Sequence, residues 1–406
     1  MTKIKTKYAV SRNQSPILAS QEVFDLLDRP YNGFVLFYCS AAYPLEQLAG
    51  AMSNQFGDVE LAGCTTAGEI TNDGYEQGSI IAMWFSPEYF AISTELIESI
   101  DCFDLITAQT KINQLTEKCN AKDLTSIENN TFILTLIDGL STKEEQLLSI
   151  LNSAANGIPH FGGSAGDDIN LANTHVYHQG QFIQQAAVVV MVNTTCQFEV
   201  FNCDHIQSSK EKLVVTAVDA QSRTVFELNS EPAALEYARI LGMDLSDLNP
   251  DVFSLHPLAV KVGGKYYIRA IQKVNTTDYS LTFYCAVDTG IVLSSVTMGN
   301  IIDSLSTKLA SLEEKLQQPE LVLTCDCFLR RLEIEQKNLI SGIEPLQKQY
   351  RIFGFNTYGE HINGMHLNQT FTGVYLSAGS NTSRESNASG ENYTSAGNYT
   401  SGESNV

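Results

Sequence analysis

Three short glycine segments, each ending in an acid, constrain this chain more than any other feature. GCTTAGE runs from Gly63 to Glu69, GGSAGD from Gly162 to Asp167 and GFNTYGE from Gly354 to Glu360. Gly63, Thr66, Gly68 and Glu69 match Gly354, Thr357, Gly359 and Glu360 in register, and the middle copy is one residue shorter. The same order of patterns surrounds each copy. In the first, Phe34–Tyr38 reads as a buried strand, Pro44–Phe56 as a helix and Val59–Ala62 as a strand into the loop, with Ser79–Phe85 closing. The second runs Thr131–Ile137, Lys143–Ala154, Ile158–Phe161 and Ala186–Val192. The third runs Leu321–Thr324, Phe328–Ile340, Arg351–Phe353 and Gly373–Leu376. Apolar residues in the helical stretches recur at helical spacing, as Leu45, Leu48, Ala49, Met52 and Phe56 do. The period is too irregular for a solenoid. An α/β fold of mixed sheets, built from repeated β-α-β-β units, is expected.

A chain of 406 residues exceeds one ordinary core, so two domains are expected. The repeats divide it into a lead-in at 1–30, a first domain at 31–194 and a second at 195–377. The lead-in holds a short strand and a helix at Gln21–Asp28. Residues 195–300 differ from the repeats. Lys212–Val218 with Thr224–Leu228, and His256–Ile271 across Gly263-Gly264, read as hairpins. Helices are expected at Glu231–Leu241, with Pro232 early, and at Ile301–Leu316. Residues 378–406 are rich in Ser, Asn, Gly and Thr, and are expected to be disordered.

A formal net charge of −21 argues against nucleic-acid binding and against docking on an anionic membrane. The start, MTKIKTKYAVSRNQSPI, lacks the apolar core of a secretion signal. The longest apolar run, Ala186–Val192, is too short to span a bilayer. A cytoplasmic protein is expected. Nine scattered cysteines do not form a disulfide framework.

Glycines of this kind ordinarily supply tight turns. Three loops that end in acids suggest more. Packed pseudo-symmetrically, they would bring Glu69, Asp167 or Asp168, and Glu360 to one pocket, with Thr66, Ser164 and Thr357 offering hydroxyls. Gly63, Gly68, Gly163, Gly166, Gly359, Tyr358 and Asn368 complete the expected ligand-binding set. None of the loops is a P-loop or a dinucleotide fingerprint. The histidines worth weighing are His366, His256 and His361, although a lone histidine is more often structural than a ligand. No HExxH, paired CxxC, CxxCH or GxSxG occurs, so enzymatic function has no positive sign. Cys325-Asp326-Cys327 reads first as buried thiols.

GCTTAGE followed by GYEQGS, then GGSAGDD, resembles the FIST N-terminal domain. ELNSEPAALEYARILG, HPLAVKVGGKYYIRAI, CDCFLRRLE and GFNTYGE with NQTFTGVYL resemble the FIST C-terminal domain. The likeness reaches to about Leu376. It implies a bacterial signal-transduction input module that binds small ligands such as amino acids. NGMHLNQTFTG is similar to the nitric-oxide-sensing, NosP-type subset. That implies haem b, a histidine axial ligand and a histidine kinase partner, with His366 first, His256 second and His361 third for the iron. A haem-free metabolite-binding module is the alternative.

Overall fold

The computed structural model describes residues 4–168 and 170–380. Its organising feature is a strand–helix–strand–strand unit that occurs three times, each time with an extra strand in front. The first unit uses strands Thr6–Ser11, Phe34–Ser40, Glu60–Thr66 and Ile80–Phe85. The second uses Phe90–Ile97, Thr131–Ile137, His160–Ser164 and Ala187–Thr194. The third uses Cys196–Cys203, Pro319–Cys327, Ile352–Thr357 and Phe371–Ser380. In every sheet the order is first, fourth, second, third, and the second and third strands run parallel.

Each sheet is completed by a hairpin from another unit. Glu69–Thr71 with Gly74–Glu76, from the first unit, joins the third sheet. Glu360–Ile362 with Met365–Leu367, from the third, joins the second. Val176–His178 with Gln181–Ile183, from the second, joins the first. The exchange is cyclic and closes on itself, giving the three units an approximate threefold relation.

The burial pattern follows. Inner faces of the three sheets share one core, to which Leu36, Tyr38, Leu134, Phe161, Leu323 and Phe355 contribute. Outer faces are covered by helices. Leu48, Ala49, Met52 and Phe56 form the buried stripe of Leu45–Phe56. Ile301, Leu305, Leu309, Leu312 and Leu316 do the same for Ile301–Leu316, which Asn300 caps. Buried on both faces, Phe34–Ser40, Thr131–Ile137 and Ala187–Thr194 read as continuous apolar runs.

The expected repeats, mixed sheets and two 195–300 hairpins are all present, and several boundaries change. The lead-in is part of the first unit: Thr6–Ser11 pairs with Ile80–Phe85, and its helix is Pro16–Leu26. Residues 196–203 belong to the third unit, so the distinct region is an insertion within that unit, not a spacer before it. It forms a sheet of eight strands with helices Ala233–Leu241 and Pro250–Leu255. The single helix expected over Phe328–Ile340 breaks at Asn338, whose φ is +54°, and Ile340–Tyr350 follows. The last strand runs through Ser380, three residues into the stretch read as tail. The rest of that stretch lies outside the described residues. Among the described residues no helix is long and apolar enough to cross a membrane.

Candidate functional site

The three glycine loops meet through two sets of three backbone hydrogen bonds, five between loops and one to His175 beyond the middle loop. Thr65, Ser164 and Asn356 hold equivalent positions. Their N–H groups donate to the carbonyls of His175, Gly359 and Gly68, at 2.9, 2.8 and 2.7 Å. Ala67, Gly166 and Tyr358 then donate to Thr65, Ser164 or Asn356 of a neighbouring loop. These bonds are Ala67 to Asn356 at 2.9 Å, Gly166 to Thr65 at 3.0 Å and Tyr358 to Ser164 at 3.3 Å. Such bonds are modest net stabilisers but costly to leave unmade when buried.

The repeated glycine at the head of each segment does not make a turn. Gly63, Gly162 and Gly354 lie within strands, opposite Phe37, Thr135 and Thr324 of the parallel neighbour. A Cβ at each would come within 2.2, 1.9 and 1.9 Å of the carbonyl oxygen of that neighbour. The strands approach too closely there for any side chain.

The acids do not converge on one pocket. Glu69 is fully buried within its own unit, taking hydrogen bonds from Thr66 Oγ1, Ser79 N and Ser79 Oγ. Glu360 is held the same way by Thr357 Oγ1, Thr370 N and Thr370 Oγ1. Burial, only partly offset by these bonds, pushes Glu69 up to about 7 and Glu360 up to about 8. In the middle unit Asp138 does this work, accepting from Gln185 N and Thr174 Oγ1. Asp167 instead accepts from Leu171, Ala172 and Asn173 N–H at 2.9, 2.8 and 2.7 Å, and from the Tyr358 hydroxyl. Asp168, half-buried, is pushed up by burial, against the pull of Arg331.

The inserted sheet lies over this ring. Ala259, Ile268, Ala270 and Val296 from the insertion pack with Ala67, Cys327, Phe328, Leu329 and Tyr358. Tyr284, Phe328 and Tyr358 form a triangle, with centroids 5.6, 5.5 and 6.4 Å apart. Asn368 reaches across, its Oδ1 accepting from Ala270 N at 3.3 Å. Ser164 Oγ, Asn368 Nδ2, and Arg269 Nε and Nη1 are buried at this junction without hydrogen bonds. Of the expected set, Gly68, Ser164, Gly166, Asp167, Asp168, Tyr358, Gly359 and Asn368 thus gather where the loop ring meets the inserted sheet. Glu69 with Thr66, and Glu360 with Thr357, serve the fold behind it. Gly163 is a close-packing position, since a Cβ there would meet Thr357 Cγ2 at 2.5 Å.

The three histidines do not share a site. His361 is fully buried, with Nε2 pressed on Gly162, and burial drives its pKa well below the usual value. His366 sits opposite it in the hairpin, Nε2 against Gly359 and Nδ1 3.8 Å from Glu145 Oε1. His256 caps the C-terminal end of Pro250–Leu255, and its carbonyl accepts from Tyr237 OH. As folded, Nε2 of His361 and Nε2 of His366 face glycine backbone, so neither ring presents that nitrogen to a haem iron without moving. Among the described residues no cluster of three His, Cys, Asp or Glu is arranged for a metal. Cys325 and Cys327 are fully buried thiols pushed up by burial, while Asp326 pairs with Arg330.

Arg269, Arg223, Glu145, Tyr284 and Arg331 were not legible as site residues. They come from the insertion and two helices, and although Arg269 lies in HPLAVKVGGKYYIRAI and Arg331 in CDCFLRRLE, nothing in the sequence singles out these side chains.

FIST N domain matches residues 33–231, and FIST C domain matches residues 233–363. Comparison with curated proteins gives no match. Among solved structures the chain is similar to cyanuric acid hydrolase from A. caulinodans, at 10% identity and a TM-score of 0.28. That likeness covers 47% of this chain and 71% of the other, and is too distant to carry an argument. FIST domains are sensor modules of signal transduction that bind small ligands. With both domain models matched across most of its length, the chain belongs to the FIST family.

Proposed function

We propose that this chain binds a small polar metabolite at the mouth between the loop ring and the inserted sheet, and reports occupancy to a signalling partner such as a histidine kinase. One observation carries the reading. Where three units interlock, one inserted sheet covers the junction, and buried polar atoms on both sides of it lack partners. A ligand there would touch loops from all three units and the insertion together. Its differential affinity for two placements of the inserted sheet is the free energy available for signalling.

A haem-bound nitric-oxide sensor is the second reading. What favours it is that both ring nitrogens of His366 are buried without a hydrogen bond. It requires that ring to leave Gly359. One preparation tests both readings: the full chain, offered haem, scanned for absorption and titrated calorimetrically with amino acids and small organic acids. The first reading expects no Soret band, and a ligand whose affinity falls about tenfold in Asp168→Asn, near 1.4 kcal/mol. A Soret band lost in His366→Ala would replace it with the second.

A further inference from the structure

The start of the helix Glu144–Ala154 meets both the inserted sheet and the borrowed hairpin, and its first two residues are held very differently. Glu144 Oε2 accepts from Arg223 Nη2 at 2.6 Å, and Arg223 Nη1 also donates to the Tyr284 carbonyl at 2.6 Å. Glu145 has no contact of that quality. Its Oε1 stands 3.3 Å from Ala286 N, 3.8 Å from His366 Nδ1 and 3.9 Å from Arg269 Nη1. The last two exceed hydrogen-bonding distance. Around this carboxylate, Arg269 Nε and Nη1, Asn368 Nδ2 and both ring nitrogens of His366 are buried without a hydrogen bond, Arg269 and His366 facing Glu145 at ion-pair range. His366 is 5% exposed and Asn368 1%, so bulk water does not readily satisfy them. The Asn368 side chain lies beside Arg269, because its Oδ1 is bonded to Ala270 N.

We propose that Arg269, Asn368 and His366 receive the carboxylate of a small ligand, and that Glu145 is the resident charge this carboxylate displaces. The proposal rests on the reading that the mouth binds a small metabolite, and it names the ligand's chemical class. Buried donors without acceptors are costly, and a free carboxylate supplies the acceptors that Glu145 reaches only at a distance. Charge favours a single negative charge on the ligand group. Arg223 is already matched by Glu144, which leaves Arg269 for one anion. A dianionic phosphate would add an uncompensated charge beside Glu144 and Glu145. Glu145 can give way, since its side chain is 27% exposed. It is also a genuine competitor. Burial raises its pKa, but His366, Arg269 and Arg223 outweigh that and hold it down to about 2, so it is charged at neutral pH.

The test titrates acetate, glycine and inorganic phosphate into the full-length wild type, Glu145→Gln and Arg269→Lys, following affinity by calorimetry. Removing the competing charge should tighten acetate or glycine about tenfold in Glu145→Gln, and Arg269→Lys should weaken them about tenfold. A merely structural Glu145 would give no gain. Equal affinity in wild type and Glu145→Gln overturns the proposal, as does preference for phosphate. Weaker binding in Glu145→Gln also overturns it, because that carboxylate would then hold the ligand. If Arg269→Lys does not fold, the comparison of wild type with Glu145→Gln still decides. A metabolite bound by wild type but indifferent to Glu145→Gln defeats this inference alone. No binding of any small molecule, here or in the wider panel, defeats the reading beneath it as well.

Discussion

Glu69 and Glu360 show what a buried acid does for this fold. Each anchors its loop to the next strand of its own unit through a threonine three residues back and a hydroxyl ten residues on. Their pKa values, near 7 and 8, lie above the ordinary carboxyl value, so folding favours the protonated form. The stabilisation is therefore complete below about pH 4.5 and is lost as pH rises through 7 to 8. For Glu360 the loss between pH 6 and pH 9 is on the order of 3 kcal/mol. Urea denaturation at pH 6 and pH 9 should show wild type losing stability and Glu360→Gln losing much less. Parallel losses in the two proteins would contradict this. The match of Gly63, Thr66, Gly68 and Glu69 to the third loop was visible in the sequence. Its meaning was not, because a glycine that makes a turn and one that admits a neighbouring carbonyl look the same in one dimension.

Among elements, the exchanged hairpins were the part the sequence concealed. Each strand in them has three residues, too short for alternation to register against the surrounding loop chemistry. The long helix Ile301–Leu316 was legible to the residue, because its apolar stripe, cap and length agree. The break at Asn338 was not, since apolar residues continue through it as Leu339 and Ile340. The helix Phe328–Gln336 is tied to its own sheet by a buried ion pair, Arg330 Nε to Asp326 Oδ1 at 2.7 Å, with Tyr75 of the borrowed hairpin on the other oxygen. Removing one partner strands the other. Arg330→Met should cost about 3–5 kcal/mol in chemical denaturation, and adding Asp326→Asn should restore part of it. A double variant no more stable than Arg330→Met would contradict this.

For the whole molecule, the threefold repetition explains the core, and the inserted sheet explains the site. Three strand–helix–strand patterns were enough to foresee repeated units and mixed sheets. That the insertion folds back over their junction depends on contacts far apart in sequence, such as Ala270 with Asn368 and Tyr284 with Tyr358. A rival site also exists, a cleft of about 640 Å³ lined by Glu98, Asp101, Cys102, Asp138, Ser141 and Gln185. Amide hydrogen exchange on the full chain, with and without the tightest metabolite found by calorimetry, separates the two. The mouth between the loop ring and the insertion predicts slowed exchange at 164–168, 266–270, 284–286 and 358–368. Protection confined to 98–102 and 138–142 would contradict it and move the ligand to the outer cleft.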